Sequence, residues 1–268
     1  MRPTHATSRC SLSGLGLETS TGATGLKLAP KPTGHFHCRN LALEIYCISF
    51  TSNLALIIMS NTMDVFDVIY NCRAMRRLDK KPVPAELLVK LVDAANQGPS
   101  GSNMQNARWL VVTDTNVKKK LADLNRQGVE SYIGSKSSRP DVLPHQSKDK
   151  RLRMLNAVIW QMENMHEVPA IIMACMEFGA PVNDKMVSHG SGSIWPGIQN
   201  LLLAARALGL GATPTTLALG DRQAVSEVLN LPSSMAAFCL IPVGYPLGRF
   251  GPVSRKPVEE IMRWDQWS

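Results

Sequence analysis

Three arginines cluster near the start of the patterned part of the chain, at Arg73, Arg76 and Arg77. Arg73 and Arg76 are three positions apart, so a helical turn would place them on one face. Guanidinium groups bind phosphate through planar, charge-assisted hydrogen bonds. The arginines therefore suggest a phosphate site, although solvated charges at a helix end are the more common role of such residues.

A loop of small residues and side-chain amides follows at residues 99–105, with the sequence Pro-Ser-Gly-Ser-Asn-Met-Gln. Glycine lets backbone N–H groups come close to a ligand, and Asn103 and Gln105 offer both donors and acceptors to the edge of a ring. An apolar stripe at helical spacing, from Leu87 to Ala95, separates this loop from the arginines and predicts a helix. Together the arginines and the loop suit a phosphorylated planar cofactor, while an ordinary polar turn is the alternative for the loop.

The composition excludes several classes of protein. The 268 residues are 44% hydrophobic and carry a net charge of +8, which is ordinary for a globular protein. No stripe of Lys and Arg with interleaved aromatics occurs, so nucleic-acid binding is not indicated. The six cysteines are irregularly spaced and form no CxxC pair, which favours a reduced, cytoplasmic setting over a disulfide framework. His35, His37 and Cys38 lack a second ligand pair at zinc-type spacing, so no metal site is predicted.

The first 62 residues differ from the rest. Residues 1–40 are rich in Ser, Thr, Gly and Pro without any period, which predicts disorder. Residues 41–59 are the most apolar run, but Glu44 and Asn53 make them only a marginal candidate for a membrane span. A targeting segment, a weak anchor and an untranslated upstream extension remain open, and the last is favoured because regular patterning begins at Met63. The predicted division is an extension at 1–62 and one folded domain at 63–268.

The pattern after Met63 alternates helices with about four strands, which indicates an α/β or α+β fold. Asp64 can cap a first helix, and Asp221 a late one. Residues 128–150 are polar and broken by proline, which predicts a long lid, a binding loop or disorder. No Rossmann glycine motif follows a strand, and no P-loop, GxSxG or HExxH occurs. Strands are predicted at 109–113, 168–176, 212–217 and 236–244, and further helices around 117–124, 151–166 and 193–208.

The order of five short motifs resembles the FMN-dependent nitroreductase family. The motifs are Arg-x-x-Arg at 73–76, the loop at 99–105, Gln-Asn-Leu-Leu-Leu-Ala-Ala-Arg-Ala-Leu-Gly-Leu-Gly at 199–211, Val-Gly-Tyr-Pro at 243–246 and Arg-Lys-Pro at 255–257. The match runs from residue 63 to about residue 260, roughly three quarters of the chain. The resemblance implies an α+β fold with a central, mainly antiparallel sheet flanked by helices. It also implies a domain-swapped homodimer with one FMN in each of two interface sites.

The resemblance also implies which residues bind the cofactor. Arg73, Arg76 and Arg255 match arginines around the phosphate, and Arg76 could instead be the donor near flavin N1 and O2. Many members have Ser where this chain has Ala74. The loop runs along the ring and ribityl chain, and part of it reaches the FMN held mainly by the other subunit. Thr215 and Thr216 resemble the segment that faces flavin N5. The positions carried over are Arg73, Ala74, Arg76, Ser100, Gly101, Ser102, Asn103, Gln105, Thr215, Thr216 and Arg255.

The activity implied by the resemblance is electron transfer through bound flavin. NADH or NADPH would reduce the flavin, and a small-molecule acceptor such as a nitroaromatic or a quinone would then reoxidise it in ping-pong fashion. No side chain is assigned as catalytic, because the flavin carries the redox chemistry. The alternatives are a reductive dehalogenase or dehydrogenase on the same scaffold and a flavin-binding protein without turnover. Glu130 and Tyr132 do not match the spacing of the deiodinase lid, which counts against that branch.

Overall fold

The computed structural model describes residues 63–134 and 147–267. The predictions for the extension at 1–62, including its targeting, anchoring and histidine–cysteine cluster, lie outside the described residues. Within the described ranges, no helix has the length and apolarity needed to cross a bilayer.

The elements of the described chain alternate as the sequence pattern predicts, and single 3-10 turns lie between some of them. The helices are α1 Val65–Asn71, α2 Ala85–Asn96, α3 Thr115–Gly134, α4 Lys148–Asn164, α5 Asp184–Ala207, α6 Arg222–Val228 and α7 Val258–Ile261. The strands are β1 Ala107–Val112, β2 Ala170–Glu177, β3 Gly211–Ala212 and β4 Met235–Gly244. The 3-10 turns are Gly101–Asn103, Met165–Glu167 and Leu217–Asp221.

The four strands form one sheet in the order β1-β2-β4-β3, and every neighbouring pair is antiparallel. The predicted α+β class with a mainly antiparallel sheet is therefore confirmed. The central strands β2 and β4 are almost wholly buried, because both of their faces are covered. A strand covered on both faces reads as a continuous apolar run rather than as an alternating one, and both sequences have this character.

Two hydrophobic cores lie on opposite faces of the sheet. Successive side chains of a strand point to opposite faces, so Ile172 joins the core beneath α2 and α5, whereas Ile171 joins the core beneath α3. The buried cysteines divide in the same way: Cys239 lies in the first core and Cys175 in the second. Burial raises the pKa of both thiols to about 12, so at neutral pH they behave as small apolar side chains.

Two strands differ from their predictions. The buried strand predicted at 109–113 is β1 at the sheet edge, where Leu110 and Val111 are 38% and 37% exposed. Because an edge strand has a neighbouring strand on one side only, its side chains can stay partly exposed even where the sequence is apolar. The strand predicted at 212–217 is reduced to β3 and one bridge between Thr215 and Leu240. The chain then turns into the 3-10 segment Leu217–Asp221.

Two helices are longer than their predictions. Helix α3 continues through Gly134 and α4 begins at Lys148, so the irregular segment predicted at 128–150 is wrong at both ends, and residues 135–146 lie outside the described ranges. Helix α5 begins nine residues before the predicted start, because the side chain of Asn183 accepts a hydrogen bond from Met186 N and caps it. Pro196 lies inside this helix. The predicted caps Asp64 and Asp221 are confirmed.

Helices α2 and α5 approach each other through two glycines. A Cβ placed on Gly98 would lie 2.6 Å from Gly197 N, and one placed on Gly197 would lie 2.7 Å from Ala95 O. Both distances are shorter than a carbon can approach backbone atoms, so the crossing requires hydrogen at these positions. This close contact sets the distance between the loop at 99–105 and α5.

We expect Gly197→Ala to lower the free energy of unfolding by about 1–3 kcal/mol, because the added methyl group forces the two helices apart. Gly192→Ala on the same helix is the matched control, since a Cβ there meets no atom within 4 Å. That control should gain about 0.5–1 kcal/mol from better helix propensity. Urea unfolding followed by circular dichroism measures both variants, and equal stabilities would contradict the close crossing.

Candidate functional site

The arginine segment is extended rather than helical. Helix α1 ends at Asn71, Cys72 has extended backbone angles, and residues 72–77 continue without a helical turn. The prediction that Arg73 and Arg76 share a helical face is therefore wrong. Because side chains alternate along an extended chain, the two guanidiniums reach partly different surroundings.

Backbone hydrogen bonds hold this segment against the end of the sheet. Met75 N donates to Ala212 O at 3.2 Å, and Leu247 N donates to Arg77 O at 2.9 Å. Gly211 permits the contact, because a Cβ there would lie 2.9 Å from Met75 Cβ. The arginines are thus attached to a rigid support rather than to a mobile loop.

Arg73, Ala74 and Arg255 line one cavity of about 430 Å³, here called the Arg255 cavity. Gln199 from α5 and Pro214 from the segment after β3 are among its other lining residues. The structure thus brings together two of the three arginines assigned to the phosphate, Arg73 and Arg255, from widely separated positions in the sequence. The volume is in the usual range for small-molecule pockets.

Among the described residues, no carboxylate lines the Arg255 cavity. Within that part of the protein, neither Arg73 nor Arg255 forms an ion pair. Guanidiniums that converge without an acidic partner favour an anionic ligand. The ion pairs of the described chain are Lys80–Glu167, Arg108–Glu177 and Lys256–Glu260.

Arg76 lines a second cavity of about 380 Å³, which shares Arg73 and Ala74 with the first. Arg153 of α4 and Arg249 also line this space, here called the Arg153 cavity. Burial lowers the pKa of Arg76, and no acidic group among the described residues compensates its charge. Its planar fork of donors is therefore available to an acceptor atom.

The amide-bearing loop is a rigid turn. Gly101 N donates to Ser193 Oγ at 3.0 Å, and Gln105 N donates to Ser100 Oγ at 3.1 Å. Non-glycine residues with positive φ are uncommon and often mark functional turns. Three loop residues have this conformation, namely Ser102 at 53°, Asn103 at 51° and Gln105 at 48°.

The loop is separate from the arginines within one chain, because its residues 100–105 line neither the Arg255 cavity nor the Arg153 cavity. Sequence reasoning assigned part of this loop to the cofactor of a second subunit. The single chain therefore assembles only one part of the predicted site, and the role of the loop stays a prediction.

The two threonines have different surroundings. Thr215 Oγ1 donates to Asn125 Oδ1 at 3.0 Å, and its backbone pairs with Leu240. Thr216 lines a third cavity, of about 450 Å³, together with Tyr132 of α3. The hydroxyl and backbone groups of Thr215 are thus hydrogen-bonded within the protein. The side chain of Thr216 instead lines a cavity.

Sequence reasoning missed several residues near the site. Arg153 and Arg249 lie outside the sequence motifs, so their positive charge was the only feature that could have indicated a role. Arg206 lies within the quoted motif at 199–211, and its guanidinium stacks 4.2 Å from the Phe250 ring centroid. Its Nε is buried without a hydrogen-bond partner in the described chain. Cys72 lines the Arg255 cavity, and burial raises its thiol pKa.

Comparison with known proteins identifies the class to which this fold and site belong. The model of the nitroreductase family matches residues 69–245, and the chain belongs to this family. It is 28% identical to an iodotyrosine deiodinase of Thermotoga neapolitana over 182 residues, which are 68% of this chain and 88% of that protein. It is 30% identical to an NADH dehydrogenase of Thermus thermophilus over 196 residues, 72% of this chain and 91% of that protein. These relatives place the chain among oxidoreductases.

Solved structures agree with this assignment. A crystal structure of oxidised iodotyrosine deiodinase bound to FMN and 3-iodo-L-tyrosine has a TM-score of 0.60 and 25% identity, and the match covers 76% of this chain and all of that one. An NADPH:FMN oxidoreductase from Vibrio harveyi complexed with NAD⁺ shares the fold, with a TM-score of 0.58 and 17% identity over 76% of this chain and 78% of that one.

We expect Thr215→Val to lower the free energy of unfolding by about 1–3 kcal/mol, because it leaves the buried amide oxygen of Asn125 without its donor. Thr216→Val is the matched control and should change stability by much less, since its hydroxyl makes no hydrogen bond within the described chain. Thermal and urea unfolding of both variants test this, and a larger loss in Thr216→Val would reverse the assignment.

Proposed function

We propose that the chain is an FMN-dependent oxidoreductase that passes electrons from NADH or NADPH to a small-molecule acceptor such as a quinone or a nitroaromatic. The observation that carries the proposal is the Arg255 cavity. In a chain of the nitroreductase family, Arg73 and Arg255 both line this space, and none of the described residues around it is a carboxylate. A terminal phosphate is the group that this donor set suits best.

The residues of the described chain fit FMN in three respects. The Arg255 cavity offers two guanidiniums to the phosphate, and Arg76 offers a partly buried fork of donors to the edge of the ring. The extended segment is fixed by backbone hydrogen bonds, so these groups need little reorganisation on binding. The rigid loop at 100–105 supplies amides, which we assign to the cofactor of a partner subunit in a homodimer.

When bound, FMN supplies the redox chemistry, in which a hydride from NAD(P)H is taken up and two electrons leave to an acceptor that also gains two protons. The protein provides position and charge. Arg76 has no carboxylate partner, so its charge would favour negative charge developing on the ring edge that it faces. No side chain of the chain is assigned as general acid, because solvent can supply protons at an open site.

A second candidate function is reductive dehalogenation, because an iodotyrosine deiodinase is among the most similar relatives. In this chain Tyr132 lies on α3 and lines the same cavity as Thr216, which would bring an aromatic side chain to the second substrate. The Glu130 and Tyr132 spacing still differs from that of the deiodinase lid. We therefore place this function second.

The absorbance spectrum of the purified protein provides the first test. Bound flavin should give bands near about 370 and 450 nm, since the protein only tunes the ring electronics, and denaturation should release FMN. NADH or NADPH should bleach the long-wavelength band, and a quinone should restore it. Loss of iodide from 3-iodotyrosine with the reduced protein, but no reaction with quinones, would favour the second candidate. A colourless protein that does not take up added FMN would refute both.

We expect Arg73→Ala to weaken FMN binding by about 1.5–3 kcal/mol, the loss of one charge-assisted hydrogen bond. This corresponds to a roughly ten- to hundredfold higher Kd, measured by fluorescence titration of the FMN-free protein. Arg151→Ala removes the same charge from α4, where the side chain lines neither the Arg255 cavity nor the Arg153 cavity, and should leave the Kd unchanged. An unaltered Kd in Arg73→Ala would exclude Arg73 from the site.

A further inference from the structure

The Arg153 cavity is unusually positive. Of the ten described residues that line it, five are arginines and none is Asp or Glu. The family resemblance accounts for two of these arginines, Arg73 and Arg76. The other three have no role in the proposed cofactor site, namely Arg77, Arg153 and Arg249.

The arginines come from three separate segments that packing brings together. Leu247 N donates to Arg77 O at 2.9 Å, which fixes the segment carrying Arg249 beside the first one. The guanidinium of Arg77 lies 6.0 Å from the ring centroid of Trp160, which attaches α4 to the same place. Arg153 lies two helical turns before Trp160 on α4. The cluster is thus a product of the tertiary structure rather than the solvated face of one helix.

No acidic side chain in the described part of the chain compensates the positive charges of this cavity. Within the described ranges Arg76, Arg153 and Arg249 form neither an ion pair nor a side-chain hydrogen bond, and Arg76 is partly buried. Like charges held together raise the energy of a site and attract an anion. Guanidinium forks match the geometry of carboxylate and phosphate. A cavity of about 380 Å³ is large enough for an anionic group with part of the molecule that carries it.

The Arg153 cavity also adjoins the proposed cofactor site. It shares Arg73 and Ala74 with the Arg255 cavity, so a group bound there would lie beside the flavin rather than at a remote surface. A substrate could therefore place its reacting part against the ring and its charged end among the arginines.

We propose that the Arg153 cavity binds the anionic group, carboxylate or phosphate, of a substrate and so selects negatively charged molecules for the redox site. This inference rests on the proposed function. The anionic group could belong to the acceptor or be the 2′-phosphate of NADPH, and both sources share the same recognition chemistry.

Matched substrate pairs test the inference with the purified flavoprotein. One pair is 4-nitrobenzoate and 4-nitrobenzyl alcohol, which differ in a carboxylate, and the other is NADPH and NADH, which differ in a phosphate. We expect the wild-type protein to have a lower KM for the charged member of at least one pair. That preference should fall roughly tenfold in Arg153→Gln and in Arg249→Gln, the loss of one charge-assisted contact. The pair that responds identifies the source of the anion.

Two further variants separate a specific site from general electrostatic attraction. Arg151→Gln removes the same charge from the same helix outside the cavity and should keep the wild-type preference. Arg153→Lys keeps the charge and should retain most of the preference that Arg153→Gln loses. Equal loss in Arg151→Gln and Arg153→Gln would overturn the inference, as would a wild-type protein without preference in either pair. A rise in the Kd for FMN in Arg153→Gln would assign the cavity to the cofactor instead and also overturn it.

Calorimetry makes the inference testable apart from turnover. If the protein oxidises neither NADH nor NADPH, the proposed function fails, but binding of 4-nitrobenzoate can still be compared with that of the neutral alcohol. Binding of the acid that is lost in Arg153→Gln and kept in Arg151→Gln would support the anion site. Binding of NADPH can be compared with that of NADH in the same way. If neither charged member of the two pairs bound more tightly than its partner, the inference would be refuted.

Discussion

The position of the arginines depends on the attachment of one extended segment to the end of the sheet. Met75 N donates to Ala212 O and Leu247 N donates to Arg77 O, and Gly211 allows the segment to come that close to β3. Backbone groups buried at such a contact must be paired, so the segment cannot relax into the helical turn that its sequence would permit. The backbone positions from which the arginine side chains extend are fixed as a consequence. Two cavities with different linings result from this single constraint.

The uncompensated charge of these cavities links the fold to chemistry. The ion pairs of the described chain lie on the surface and contribute little to stability, whereas the arginines around the cavities have no acidic partners. A protein gains no stability by assembling like charges, so their convergence points to a ligand. One cavity suits the phosphate of a cofactor. The adjoining one offers further guanidiniums that the cofactor phosphate does not need.

The sheet and its flanking helices hold the arginines and the loop at 100–105 in place. A sheet with apolar central strands separates two cores, and α5 crosses α2 through Gly197 and Gly98 at a distance that leaves no room for side chains. The turn at 100–105 comes directly after Gly98 in the chain. Ser193 of α5 accepts a hydrogen bond from Gly101 N and holds the turn against that helix. The rigid turn and the arginines are thus held by different parts of one scaffold. Within a single chain they do not meet, which is consistent with the homodimer that we propose.

The sequence by itself determined the family, the α+β class, the central strands and the helix caps Asp64 and Asp221, because apolar periodicity and capping are local properties of the chain. It also predicted that Arg73 and Arg255 belong to one site, and both line the Arg255 cavity although they are far apart in the sequence. Only the tertiary structure decided that β1 is a half-exposed edge strand and that Arg73, but not Arg76, lines the Arg255 cavity. The same holds for the placement of Arg153 and Arg249 beside them. Edge position, strand pairing and charge convergence arise from contacts between distant segments, and no local pattern records which segments will meet.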